Sequence, residues 1–147
     1  MKDIGFIAGA FDLCHAGHIL SFKEAKKHCR YLVAALHDNP HIERNKKNVP
    51  IMSLEERKII LKGIRYIDEI ILYKTESDLL KILKSVKPDI RFLGTDWKRR
   101  PYTGHELKIP IHWIDRSHGY SSSTLRHRIW KVEQDKLIHK HNSSGKI

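Results

Sequence analysis

The chain has 147 residues, with 28 lysines and arginines against 17 acidic residues, and a formal net charge of +11. That length fits one domain with a real hydrophobic core, and the charge favours anionic partners without choosing among nucleotides, phosphorylated metabolites, nucleic acid or an acidic membrane surface. Cys14 and Cys29 are the only cysteines, which excludes a disulfide framework, and no apolar run is long enough to span a bilayer. Lys2 and Asp3 precede only a short apolar strand, so no signal peptide is read, and a cytoplasmic protein with reduced thiols is expected.

Short apolar runs of the buried-strand type occur at Ile4–Ala8, Tyr31–Leu36, Ile67–Tyr73, Ile90–Leu93 and Ile111–Ile114. Helical patterns lie between them. Ile19, Phe22, Ala25 and Cys29 recur at helical spacing, with Lys23, Lys26 and Lys27 opposite. Ser53–Glu56 reads as a capping box opening a helix to about Ile64, and Thr75–Asp78 caps a helix that Pro88 ends. A last helix begins within Ser121–Thr124 and is expected to bury Leu125, Ile129 and Val132. Asn39–Pro50, polar and basic, reads as a mobile loop that closes over bound ligand; Lys98–Ile109 is a second loop. Residues 1–135 form the predicted domain, and 136–147 a polar tail expected to be disordered.

Strands alternating with helices predict an α/β fold: a Rossmann-like, doubly wound, parallel five-stranded sheet in the order 3-2-1-4-5. Its ligand crevice then lies between the first and fourth strands, at their carboxyl ends. Gly9–His18 follows the first strand and Gly94–Trp97 the fourth, so both segments reach that crevice. His15 and His18, three apart, share one face of a helix start. Unpaired N–H groups at such a start attract phosphate. The pair therefore points to chemistry on a nucleotide.

Four segments in order carry a resemblance. Gly9-Ala10-Phe11-Asp12-Leu13-Cys14-His15-Ala16-Gly17-His18 opens the set. Glu56-Arg57 with Ile64–Glu69, Gly94-Thr95-Asp96-Trp97 and Arg116–Ser123 follow. Together they resemble the cytidylyltransferase-like family of nucleotidyltransferases, nearest to the small glycerol-3-phosphate cytidylyltransferase type. The resemblance implies transfer of a cytidylyl group from CTP to a phosphorylated small molecule, with release of pyrophosphate. It also implies Mg²⁺ carried with the triphosphate, no protein-held metal, no nucleic acid or membrane partner, and a homodimer.

The same resemblance implies roles. His15, His18, Lys46 and Arg116 would be catalytic, with Lys47 competing for the part of Lys46. Gly9, Ala10, Phe11, Gly17, Gly94, Asp96, Ser117, Tyr120, Ser121 and Ser122 would bind the nucleotide. Asp12, Arg65, Asp68 and Lys74 would hold the acceptor. The loop Tyr73–Asp78 departs from the glycerol-phosphate pattern and is somewhat like that of heptose-phosphate adenylyltransferases, which use ATP. That is the first alternative. A basic nucleic-acid-binding module is the second, motivated by the charge alone and lacking an RNA-recognition aromatic signature.

Overall fold

The computed structural model describes residues 1–144. Five strands run parallel: β1 Lys2–Gly9, β2 Cys29–His37, β3 Glu69–Tyr73, β4 Ile90–Gly94 and β5 Ile111–Ile114. Their spatial order is β3-β2-β1-β4-β5, as the alternation of elements predicts. Helices α1 Ala16–Lys26, α2 Leu54–Lys62, α3 Glu76–Val86 and α4 Ser122–Ser144 complete the fold. Because the order reverses between β1 and β4, loops leaving their carboxyl ends diverge and open a crevice.

Alternation along β1 sends Phe6 and Ile7 to opposite faces of the sheet. Ile7 packs with Phe22 and Ala25 of α1 and Leu61 of α2, while Phe6 packs with Leu79 and Leu83 of α3. Helices α1, α2 and α3 each begin with a reciprocal capping box, made by His15 with His18, Ser53 with Glu56, and Thr75 with Asp78. Helix α3 stops at Lys87, whose φ of 52° is left-handed, because Pro88 disfavours right-handed helix at the residue before it.

Three expectations need correction. Cys29 begins β2 instead of continuing the face of α1, since that helix ends at Lys26. Helix α4 does not bury the residues expected of it: Ile129 is 48% exposed and Val132 53%. Both faces of the sheet are already covered by α1, α2 and α3, and an ion pair from Arg126 to Asp12 fixes only the first turns of α4. The polar segment from 136 continues α4 to Ser144, with Lys136 paired to Glu133 one turn earlier. Residues 145–147 of the expected tail lie outside the described residues. Among the described residues, no helix is long and apolar enough to cross a membrane.

Gly5 lets β1 lie close to its neighbours. A Cβ there would sit 2.6 Å from Cys29 Sγ and 2.7 Å from the Phe92 ring. Gly5→Ala is expected to lower stability by about 1–3 kcal/mol in urea denaturation, the scale of an overpacked core. Adding Cys29→Ala should recover part of that loss.

Candidate active site

The link from β1 to α1 is bent by two non-glycine residues in left-handed backbone, Phe11 at φ 49° and Leu13 at φ 50°. Such residues are held only where their surroundings over-determine them. Here the Phe11 ring is buried against Phe22, at 5.0 Å between centroids. Between them, the buried Asp12 carboxylate accepts the N–H groups of Ile51 (2.8 Å) and Met52 (2.9 Å) and pairs with Arg126 (2.9 Å). Asp12 thus ties the motif to the 39–53 segment and to α4. The acceptor role implied for it meets a carboxylate already saturated by the protein.

The two motif histidines cap α1 and each other. His15 is the N-cap, and its Nδ1 accepts the Gly17 N–H at 3.0 Å. The His15 N–H is in turn donated to His18 Nδ1 at 3.2 Å. A neutral imidazole that accepts at Nδ1 carries its proton on Nε2. Both rings are therefore fixed as Nε2–H donors and stack with centroids 3.9 Å apart. Burial lowers the His18 pKa to about 3, reinforced by the nearby His15 and Arg116. Burial, Arg116 and His118 lower that of His15 as well. Gly17 is required by this packing, since a Cβ would lie 2.9 Å from His15 Cε1.

A cavity of about 300 Å³ opens over these rings, lined by Gly9–Phe11, Gly17, Gly94, Trp97, Arg116, His118 and Tyr120 as well as the histidines. Gly94 makes room for Arg116 and Asp96: a Cβ would be 2.5 Å from Asp96 Oδ1, which pairs with Arg116 Nη1 at 3.3 Å. Ser122 Oγ lies 3.3 Å from His15 Nε2 and donates to the Asp12 carbonyl. Ser121 caps α4 by accepting the Thr124 N–H. The Ser117 hydroxyl and N–H are both donated to Asp115, away from the cavity lining.

Four further expected site residues stand elsewhere. Asp68 accepts the Leu32 N–H and pairs with Lys26 near the amino end of β3, opposite the crevice. Arg65 is exposed and donates to the Tyr66 hydroxyl. Lys74 is exposed beyond β3 and lines neither of the two cavities at the crevice. Lys46 lines only an outer groove shared with Arg100 and Lys47, while Lys47 also lines the cavity. The Asn39–Pro50 loop is folded down: Glu43 accepts the Glu76 N–H, Arg44 pairs with Glu76, and Arg44 and Lys47 lie 5.4 and 5.7 Å from the Trp97 ring.

Sequence reasoning left Arg57 without a role. It is fully buried and donates to the carbonyls of Ala10, His37, Asp38 and Met52, gathering the carboxyl ends of β1 and β2. Its position on an apolar helix face four residues after a cap was the available signal.

The depressed pKa of His18 has a consequence for stability. The unfolded chain takes up a proton near pH 6.5 that the native chain refuses until about pH 3. Stability conferred by neutral His18 is thus complete above pH 6.5 and is lost progressively as pH falls toward 3. Thermal melts between pH 7 and 4.5 are expected to show a smaller drop in Tm for His18→Asn than for the wild-type chain.

The cytidylyltransferase-like family pattern matches residues 6–139. Over 135 residues the chain is 30% identical to a bifunctional protein HldE of Helicobacter pylori, covering 91% of this chain and 29% of that protein. It is 34% identical over 90 residues to an FAD synthase of Pyrococcus horikoshii, covering 61% of each. The chain therefore spans less than a third of the HldE relatives it matches. Among solved structures, a lipopolysaccharide core biosynthesis protein from Thermoplasma volcanium superposes with a TM-score of 0.63 at 28% identity, covering 78% of this chain and 98% of that one. A bifunctional NMN adenylyltransferase/ADP ribose pyrophosphatase from Francisella tularensis, complexed with AMP, shares the fold at 16% identity and TM-score 0.61, covering 89% of this chain and 42% of that one. The similarity to HldE proteins and to an FAD synthase overturns the expectation of a CTP-using enzyme of the glycerol-3-phosphate type. With its motif loop, paired imidazoles and crevice in place, the chain belongs to the cytidylyltransferase-like family.

Proposed function

We propose that the chain transfers the adenylyl group of ATP to a phosphate oxygen of a small phosphorylated acceptor of the sugar-phosphate class, releasing pyrophosphate. The observation that carries this reading is the pair of neutral, tautomer-fixed imidazoles whose Nε2–H groups are set at a phosphate-attracting helix start. The choice of adenylyl over cytidylyl is supported by the similarity to an FAD synthase, named for an adenine dinucleotide, and to HldE proteins. The sugar-phosphate acceptor is supported by the likeness to a lipopolysaccharide core biosynthesis protein.

In such a transfer an acceptor oxygen bonds to the α-phosphorus as the bond to the β-phosphate oxygen breaks. Negative charge moves onto the non-bridging and leaving oxygens. Donors preorganised toward those oxygens stabilise the transition state without reorganising. His15 and His18 supply neutral N–H donors, and Lys47 and Arg116 supply cations along the same wall. Ser122, beside His15 at the start of α4, adds a hydroxyl and a helix terminus. Mg²⁺ would enter with the nucleotide, carried on its phosphate oxygens. The lining is rich in imidazole and guanidinium rather than in the oxygen ligands that hard cation prefers.

Pyrophosphate release with ATP and a panel of sugar phosphates is the direct test, and CTP in place of ATP should give little turnover. Absence of any triphosphate-dependent thermal shift would count against the whole reading, since a native-state ligand raises Tm. His18→Asn keeps an acceptor for the His15 N–H but removes the Nε2–H donor. It is expected to lower kcat at least about 100-fold with the fold intact. Lys47→Ala should depress kcat as well as raise KM, whereas Lys46→Ala should stay within about twofold of wild type.

A further inference from the structure

A second cavity, of about 230 Å³, lies beside the first and shares the wall made by Gly9, Ala10, Lys47, Leu93 and Trp97. Its far side is formed by Arg91, His37, Tyr73 and Tyr102, with Arg44 and Glu76 at the rim pair. The position is dictated by topology. Arg91 stands on β4 opposite Phe6 of β1, on the face covered by α3, among mostly apolar side chains with the rings of His37 and Tyr73 beside them.

Arg91 is only 3% exposed. Its Nη1 donates to the Thr103 carbonyl, and the Tyr102 ring lies 5.4 Å from its guanidinium carbon. Nε is buried without a partner, and among the described residues Nη2 makes no hydrogen bond or ion pair. Glu76 is the single carboxylate on the cavity wall, and it is already engaged by Arg44 at 3.3 Å and by the Thr103 hydroxyl at 2.7 Å. A buried guanidinium without a counter-ion is strongly unfavourable, and an oxyanion presented to its fork would remove that penalty.

We propose that the second cavity is the acceptor site and that Arg91 makes it specific for an acceptor with an oxyanion, phosphate or carboxylate, seated on the guanidinium. The placement rests on the adenylyl-transfer reading, because the shared wall sets an occupant of this cavity next to a triphosphate in the first. The oxyanion-binding geometry of Arg91 does not rest on it.

Calorimetric titration with inorganic phosphate and with acetate tests the assignment, on the wild-type chain and on Arg91→Gln, each with and without a non-hydrolysable ATP analogue and Mg²⁺. The expected result is an oxyanion site in the wild-type chain that survives saturation by the analogue. Arg91→Gln should weaken it at least about tenfold, the scale for losing a charged hydrogen-bond partner, with analogue affinity unchanged. Tighter phosphate than acetate assigns the phosphate class, and the reverse the carboxylate class. Equal oxyanion affinity in the two chains, or no binding of either probe, overturns the inference. Failure of the analogue to bind the wild-type chain would instead overturn the nucleotide reading, while the analogue-free titrations still judge Arg91. Should Arg91→Gln not fold, Arg91→Lys decides: a point charge lacks the planar fork and should bind the probe several-fold more weakly, and an unchanged affinity overturns the inference.

Discussion

The reciprocal cap between His15 and His18 is the interaction on which the rest of the site depends. It satisfies two of the open N–H groups at the start of α1 and sets the tautomer of both rings at once. An ordinary capping residue would have done the first without the second. Since each Nδ1 is spent on backbone, the Nε2–H of His18 is left to a ligand, while that of His15 rests on the Ser122 hydroxyl until one arrives. Burial keeps His18 neutral, so the donor is available without a buried cation that would have to be compensated in the empty site.

Around that cap, buried charges act as fasteners between segments distant in sequence. Asp12 holds the 51–52 backbone and Arg126 of α4 to the motif loop. Arg57 reaches from α2 to three carbonyls at the ends of β1 and β2 and to that of Met52 before its own helix. Each of these groups is matched by several hydrogen bonds, as buried charge requires. Arg91 differs because it has a single hydrogen-bond acceptor, beside the Tyr102 ring, and a cavity next to it. The contrast between saturated and unsaturated charges separates architecture from binding capacity in this fold.

Much was legible in the residues themselves. Apolar runs alternating with capped helical patterns gave the strand order, because right-handed crossovers leave few topologies for five parallel strands. The histidine spacing located the crevice for the same local reason. Errors concentrated where periodicity is absent or partners are remote. Asp68 and Arg65 sit in a segment that resembles a family motif, yet the parallel sheet carries them to the end opposite the cavity. Cys29 fitted a helix period by coincidence of spacing and belongs to a strand.

The sequence by itself determined the fold, the motif loop and the pair of imidazoles, since these rest on periodicity, capping and contacts within a few residues. Only the tertiary structure decided which charged side chains face a ligand. Lys46 and Lys47 are adjacent and chemically alike, and both line the outer groove beside Trp97, but only Lys47 also lines the cavity. Asp12 is withdrawn from the site by backbone N–H groups some forty residues away, and Arg91 is left without a counter-ion because Arg44 holds the one available carboxylate. Electrostatic pairing is a long-range competition among side chains, and it is resolved only when the chain has brought all the competitors together.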